Sequence, residues 1–266
     1  MRHGCMKKYC YLALLAFLAM ACHKDTRPVQ SDKTDARLVQ LKSVVTQGMP
    51  SPYFSYTYDK NNFVTQIQHA AGLFQYEVQY HNNRVVKMFN NTLFNKDTLV
   101  YHYSNNQVSS IDLVEPGTGI TKVVELVYNS SHQLEELKWK KRNANLSLTL
   151  IRKLTFRYHD DGNLAEYQDH RDLGRGMELV QTHYFDAYDD KLNPESNHLI
   201  KDVFEHFIFL PQVQLQKNNP LRERIKLNEN EWLITCSYTY DENLPVTKTV
   251  SRGGEQAVTT STTFAY

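Results

Sequence analysis

Phe74-Gln75-Tyr76-Glu77-Val78-Gln79-Tyr80-His81-Asn82-Asn83-Arg84-Val85-Val86-Lys87-Met88 is the stretch that decides the fold class. Phe74, Tyr76, Val78 and Tyr80 alternate with Gln75, Glu77 and Gln79. That is the period of two of a strand with one apolar and one wet face. His81-Asn82-Asn83 then reads as a turn, because Asn tolerates positive φ at little cost. Apolar residues return at Val85 and Met88. Two alternating runs joined by a short polar turn make an antiparallel hairpin.

The same unit recurs on both sides. Phe54, Tyr56 and Tyr58 alternate, as do Leu99, Tyr101 and Tyr103. Leu146, Leu148 and Leu150, then Leu154, Phe156 and Tyr158, extend the pattern, with Arg152 the one break. Tyr58 leads to Val64 and Ile67, Tyr103 to Val108 and Ile111, Tyr128 to Leu134 and Leu137, and Tyr158 to Leu164 and Tyr167. From Tyr58 to Tyr158 the strand-end tyrosines are spaced by 22, 23, 25 and 30 residues, each interval fitting one hairpin. Asp59-Lys60-Asn61-Asn62, Ser104-Asn105-Asn106 and Asp160-Asp161-Gly162-Asn163 supply the turns. The expectation is an all-β, mainly antiparallel chain. Successive hairpins form one large curved or barrel-like sheet, each strand burying one face.

The repeat is interrupted between about 186 and 237. Asn193-Pro194-Glu195-Ser196 suits a helix start, and Leu199, Ile200, Val203, Phe204, Phe207 and Ile208 recur at helical spacing before Pro211. One short amphipathic helix is expected near 196–209, packed on the sheet or plugging an open end of it. The pattern resumes at Tyr238-Thr239-Tyr240-Asp241 and runs to Phe264 and Tyr266.

The N-terminus gives an address. Arg2, Lys7 and Lys8 precede an uncharged apolar run from Tyr9 to Ala21, followed by Cys22. This resembles a bacterial lipoprotein signal, too short to span a bilayer, with small residues before the cysteine. The resemblance implies cleavage of residues 1–21 and acylation of Cys22 through a diacylglycerol thioether and an amide-linked chain such as palmitate. Several chains at about 0.8 kcal/mol per buried CH₂ make a near-permanent anchor. Residues 22–35 read as a polar, lipidated flexible spacer, and 36–266 as one β-hairpin-repeat domain. Lys24-Asp25 is similar to a surface-sorting signal, although Thr26 stands where a second acid belongs. The expected location is the bacterial outer membrane, at the cell surface.

Charge and cysteines narrow the classes. The chain has 30 Lys+Arg against 29 Asp+Glu; loss of Arg2, Lys7 and Lys8 leaves a small negative balance, which gives no pull toward nucleic acid. Cys5 and Cys10 leave with the signal and Cys22 carries lipid, so Cys236 has no disulfide partner within the chain. It is expected to be buried and inert.

Tyr56-Thr57-Tyr58-Asp59, Tyr158-His159-Asp160-Asp161-Gly162-Asn163-Leu164 and Tyr238-Thr239-Tyr240-Asp241 resemble degenerate tyrosine–aspartate (YD, Rhs-type) repeats. With the lipoprotein signal, the chain is similar over roughly 36–266 to Bacteroidetes surface lipoproteins of unknown function with a porin-like β fold. The usual repeat glycine is present only at Gly162. The resemblance implies architecture and location and supplies no active site.

No nucleophile elbow, phosphate loop, dinucleotide fingerprint or zinc-protease helix is present. Asp186, Asp189 and Asp190 with Asn193 form the best calcium candidate, yet they lack the alternating acids and central glycine of a calcium loop. A turn-and-cap role explains them without metal. Lys138, Lys140 and Arg142 flank Trp139, and alternation makes them a solvated strand face. Asp97-Thr98-Leu99 resembles a short O-glycosylation acceptor at Thr98. No cofactor is expected. The expected function is a lipid-anchored, non-enzymatic binding or assembly module for a glycan, peptide or partner protein. The alternatives are a glycan-cleaving enzyme with dispersed carboxylates and, lower in order, an outer-membrane β-barrel, against which the polar outward faces speak.

Overall fold

The structure, a computed structural model, describes residues 40–93, 95–195, 208–210, 213–253 and 257–266. The alternating segments become β1 (Ser43–Thr46), β2 (Phe54–Tyr58), β3 (Val64–His69), β4 (Phe74–His81), β5 (Arg84–Asn90), β6 (Thr98–Ser104), β7 (Gln107–Glu115) and β8 (Gly119–Tyr128). There follow β9 (Leu134–Arg142), β10 (Leu148–Tyr158), β11 (Leu164–Asp172), β12 (Met177–Leu192), β13 (Asn218–Leu227), β14 (Asn230–Asp241), β15 (Leu244–Arg252) and β16 (Val258–Ala265). Each pairs antiparallel with its sequence neighbours, and β1 pairs with β16. These residues form a closed sixteen-stranded barrel. It lies within one compact unit, Val39–Tyr266.

Residues opposite one another in an antiparallel pair share a face. Ile67 faces Tyr76, Met88 faces Leu99, and Ile111 faces Val124. All six are at most 1 % exposed, so this face points inward. The other face pairs Gln66 with Glu77, Gln79 with Lys87 and Ser110 with Glu125. On β14 to β16 it becomes a grid of hydroxyls, with Thr239, Thr247 and Thr263 in one row. Over β3 to β8 the wall is apolar inside and polar outside; over β10 to β16 the inward face also carries Arg152, Asp169, His183, Lys248 and Thr262.

Sixteen strands leave a lumen that wall side chains alone fill poorly. Part of it is filled by described residues of the segment before β13. Ile208, Phe209, Leu210 and Val213 are buried there. The Tyr101 hydroxyl on β6 donates to the Phe209 carbonyl at 2.8 Å, which places this segment against the opposite wall.

Three expectations need adjustment. Leu148 and Leu150 do not share the core face of Leu154, because a register shift between Leu150 and Arg152 turns them outward, opposite Arg142 and Lys140. Leu146 sits in the turn at φ 66°. Arg152, read as the break, is the residue that points inward. The interruption is also shorter than 186–237. β12 continues to Leu192, and β13, which begins at Asn218, forms an ordinary hairpin with β14. Of the expected helix at 196–209, residues 196–207 lie outside the described residues, as do the signal segment and the spacer at 1–35. Ile208 makes an isolated bridge and Phe209 is irregular.

Candidate functional site

The barrel has two unlike ends. Connections from even to odd strands turn at the end that carries the repeat tyrosines, and β1 starts and β16 finishes there too. The turns follow the chemistry read from the sequence. Asp59 Oδ1 accepts the Asn61 and Phe63 N–H groups, and Asn129 Oδ1 accepts those of Ser131 and Gln133. Asn62, Asn82, Asn83, Asn105 and Asn106 all adopt positive φ. A register shift coincides with the tyrosine at Tyr58, Tyr80, Tyr103, Tyr128 and Tyr158, re-aiming each ring.

The rings do a common job. Tyr58 donates to the Leu41 carbonyl, Tyr80 to Val64, Tyr103 to Val85, Tyr158 to Leu134 and Tyr188 to Leu164, at 2.7–3.0 Å. Tyr238 and Tyr266 bond Pro220 and Pro245 likewise. Each hydroxyl ties the end of an even strand to the start of the odd strand before it. Tyr188-Asp189 is thus a repeat copy that the sequence reading missed. Its signal was a further interval of 30 residues after Tyr158.

Asn163, 1 % exposed, clasps the returning connection. Its Oδ1 accepts the Lys217 N–H at 2.8 Å and the Asn218 N–H at 3.0 Å, and its Nδ2 donates to Asp161 and Asn218. Lys217 Nζ donates to the Asp161 carbonyl at 2.8 Å. Between this clasp and the turns at 129–133 and 159–162 lies a cleft of about 870 Å³. Leu134, Phe156, Tyr158 and Val213 give it apolar surface, while Glu135, Asp160, Gln214 and Lys217 contribute polar groups. Among the described residues, no hydrogen bond or ion pair engages the side chains of Glu135, Asp160 or Gln214. Asp161 is held below the ordinary carboxylate range by hydrogen bonds from the Asn163 backbone and side chain.

No protein-family model matches the chain, and no curated protein matches it in sequence. Solved structures do. A porin-like protein from Bacteroides vulgatus superposes with a TM-score of 0.60 at 12 % identity, covering 85 % of this chain and 98 % of that one. A porin-like protein from Bacteroides uniformis gives 0.56 at 12 % identity, covering 80 % and 88 %. The likeness is one of fold.

A buried charge cluster in the wall escaped sequence reading. Arg152 Nε and Nη2 donate to the two Asp169 oxygens at 2.9 and 2.8 Å, and Arg171 Nη2 reaches the same carboxylate at 2.8 Å. The Arg152 guanidinium lies 4.8 Å from the Trp139 ring centroid. Beside it Tyr167 stacks on His183 at 4.1 Å, and His183 Nδ1 contacts Glu223.

The three aspartates weighed for calcium have separate engagements. Asp186 receives a two-pronged bond from Arg224 on the outer wall. Asp189 accepts from the Lys191 N–H, Asn219 and the Tyr240 hydroxyl. Asp190 is exposed, with Lys191 3.5 Å away. No group of three or more His, Cys, Asp or Glu side chains is placed to hold a metal among the described residues. Thr98 opens β6 between Phe89 and Val114. Cys22 lies outside the described residues. Cys236 is half-buried, and burial pushes its thiol pKa up, the direction that lowers reactivity. Lys138 and Lys140 pair with Glu136 and Glu125 on the outer wall.

Proposed function

We propose that this chain is a lipid-anchored protein of the bacterial outer membrane, displayed at the cell surface as a binding module, with the cleft at the tyrosine end as its site. The observation that carries the reading is the polarity of the wall. A membrane-spanning barrel turns an apolar belt to lipid and a polar face to its lumen. Here Gln, Glu, Lys, Ser and Thr face outward, and the inside holds Leu, Ile, Val, Phe and Tyr together with charges that are paired inside the protein, Arg152 with Asp169 and Lys248 with Glu195. That arrangement favours a domain standing in water on a tether over a pore.

The cleft suits a hydroxyl-rich ligand of glycan type. Its uncommitted carboxylates and amide can accept and donate to hydroxyl pairs, and the part-buried Tyr158 ring gives a sugar C–H face an apolar surface. The carboxylates also motivate the second reading, glycoside cleavage.

Calorimetry of the acylated chain with a panel of oligosaccharides is expected to find binding that Asp160→Ala weakens at least about tenfold. The same mixtures should contain no cleaved product. Product release would transfer the site to the second reading, and conductance steps in planar bilayers would replace both with a pore. Cys22→Ala is expected to shift the chain from the membrane to the soluble fraction; continued membrane attachment would remove the anchor.

A further inference from the structure

The far end of the barrel, where odd strands turn into even ones, gathers the exposed large apolar side chains. Met49, Leu73, Leu93, Leu146 and Leu173 sit in five of its turns, between 50 and 84 % exposed. Val258 follows in the first position of β16, and Leu148, Met177 and Leu179 stand on the outer faces just below. Among the described residues, Leu192 is the only exposed large apolar side chain at the tyrosine end. Single exposed leucines mean little. Their collection on one rim does call for a reason.

We propose that this rim is a membrane-docking surface that dips its turns into a bilayer bearing anionic headgroups. Neighbouring turns on one end of the barrel are two strands apart, about 9–10 Å. Side chains so separated, each on its own turn, do not make the continuous patch that a protein partner packs against. A bilayer interface accepts each independently, and the affinity grows with the apolar area immersed. Lys96, Lys141, Arg142, Lys226 and Arg252 stand at this end with no ion-pair partner among the described residues; of the acids there, Asp97, Glu178 and Glu231 are engaged, which leaves Glu115, Asp172 and Glu229 without an ion pair. The excess of unpaired cations complements anionic lipid. Reach is sufficient as well. The twenty-one residues from Cys22 to Lys42 span up to about 70 Å when extended, more than the roughly 53 Å of the longest strand. An anchored barrel can therefore turn this rim to the membrane that holds it.

The test uses residues 34–266, which contain the whole closed barrel and lack the anchor, so its outcome is independent of acylation at Cys22. The barrel is expected to sediment with vesicles of phosphatidylcholine and phosphatidylglycerol, and less with phosphatidylcholine alone. L73D/L93D/L146D/L173D should lower the bound fraction about tenfold or more with unchanged circular dichroism, since these side chains are exposed in turns. K141E/R142E should weaken binding to the anionic vesicles only. A barrel that stays in solution with both lipids overturns the proposal, as does a fourfold variant that binds like the parent. A dimer seen by light scattering without lipid, and dissolved by the fourfold variant, would give the rim to a second copy instead.

Discussion

Asp169 is 2 % exposed and remains a carboxylate. Burial alone would raise its pKa; the Arg152 and Arg171 guanidiniums outweigh that and hold it below the ordinary value. Asp169→Asn keeps the shape and removes the charge, leaving two guanidiniums without their shared partner. Breaking a buried pair costs about 3–5 kcal/mol, and the part-exposed Arg171 puts this case at the low end. Urea unfolding of the variant should show that loss; a loss under about 1 kcal/mol would mean that the cluster is solvated. The sign with pH follows from the lowered pKa. Asp169 contributes fully above the unfolded value of about 3.9, and the contribution is lost as pH falls through the folded value. None of this was legible beforehand. Arg152 broke an apolar run and Asp169 had no flag, because the register that sets Leu154 opposite Asp169 is a cross-strand fact.

At the scale of the hairpin, the repeat tyrosine is a tie between strands. Removing one hydroxyl leaves a part-buried carbonyl without its donor, which costs about 1 kcal/mol. Tyr80→Phe and Tyr188→Phe act on opposite sides of the barrel, at the Val64 and Leu164 carbonyls, so their costs should add within about 0.5 kcal/mol. Tyr128 is the internal control. Its hydroxyl makes no such bond to a described residue, and Tyr128→Phe should cost less than either. Equal losses at all three positions would assign the effect to ring packing. The hairpins themselves were readable, since alternation and Asn-Asn turns are local properties, and the positive φ of Asn82 and Asn83 is what the residue type anticipates. The bulge between Leu150 and Arg152 was not readable. Three alternating leucines look the same on either face until a register shift decides which face it is.

For the molecule as a whole, closure depends on its weakest-looking element. β1 has four residues, yet Val44 faces both Phe264 and Phe54, joining the two ends of the sheet. Periodicity carries no such long-range pairing, so a curved sheet was foreseeable and a closed one was not. Closure buries the tyrosines together, and this gives the fold an alkaline limit. Burial pushes the Tyr58 phenol up to about 12, and Tyr80, Tyr103, Tyr158 and Tyr188 are raised for the same reason. In the unfolded chain these phenols ionise near about 10. A raised folded value means that the stabilisation is complete below the unfolded pKa and is lost as pH climbs through the folded one. Between about pH 10 and 12 the unfolded state releases protons that the barrel holds, and the equilibrium tilts toward unfolding. Tyrosinate absorbance and loss of β circular dichroism should therefore rise together in one transition above pH 10. Absorbance that titrates near 10 while the dichroism stays constant would mean that the phenols ionise without opening the barrel, and the ties to the strand-start carbonyls would then contribute little to holding it closed.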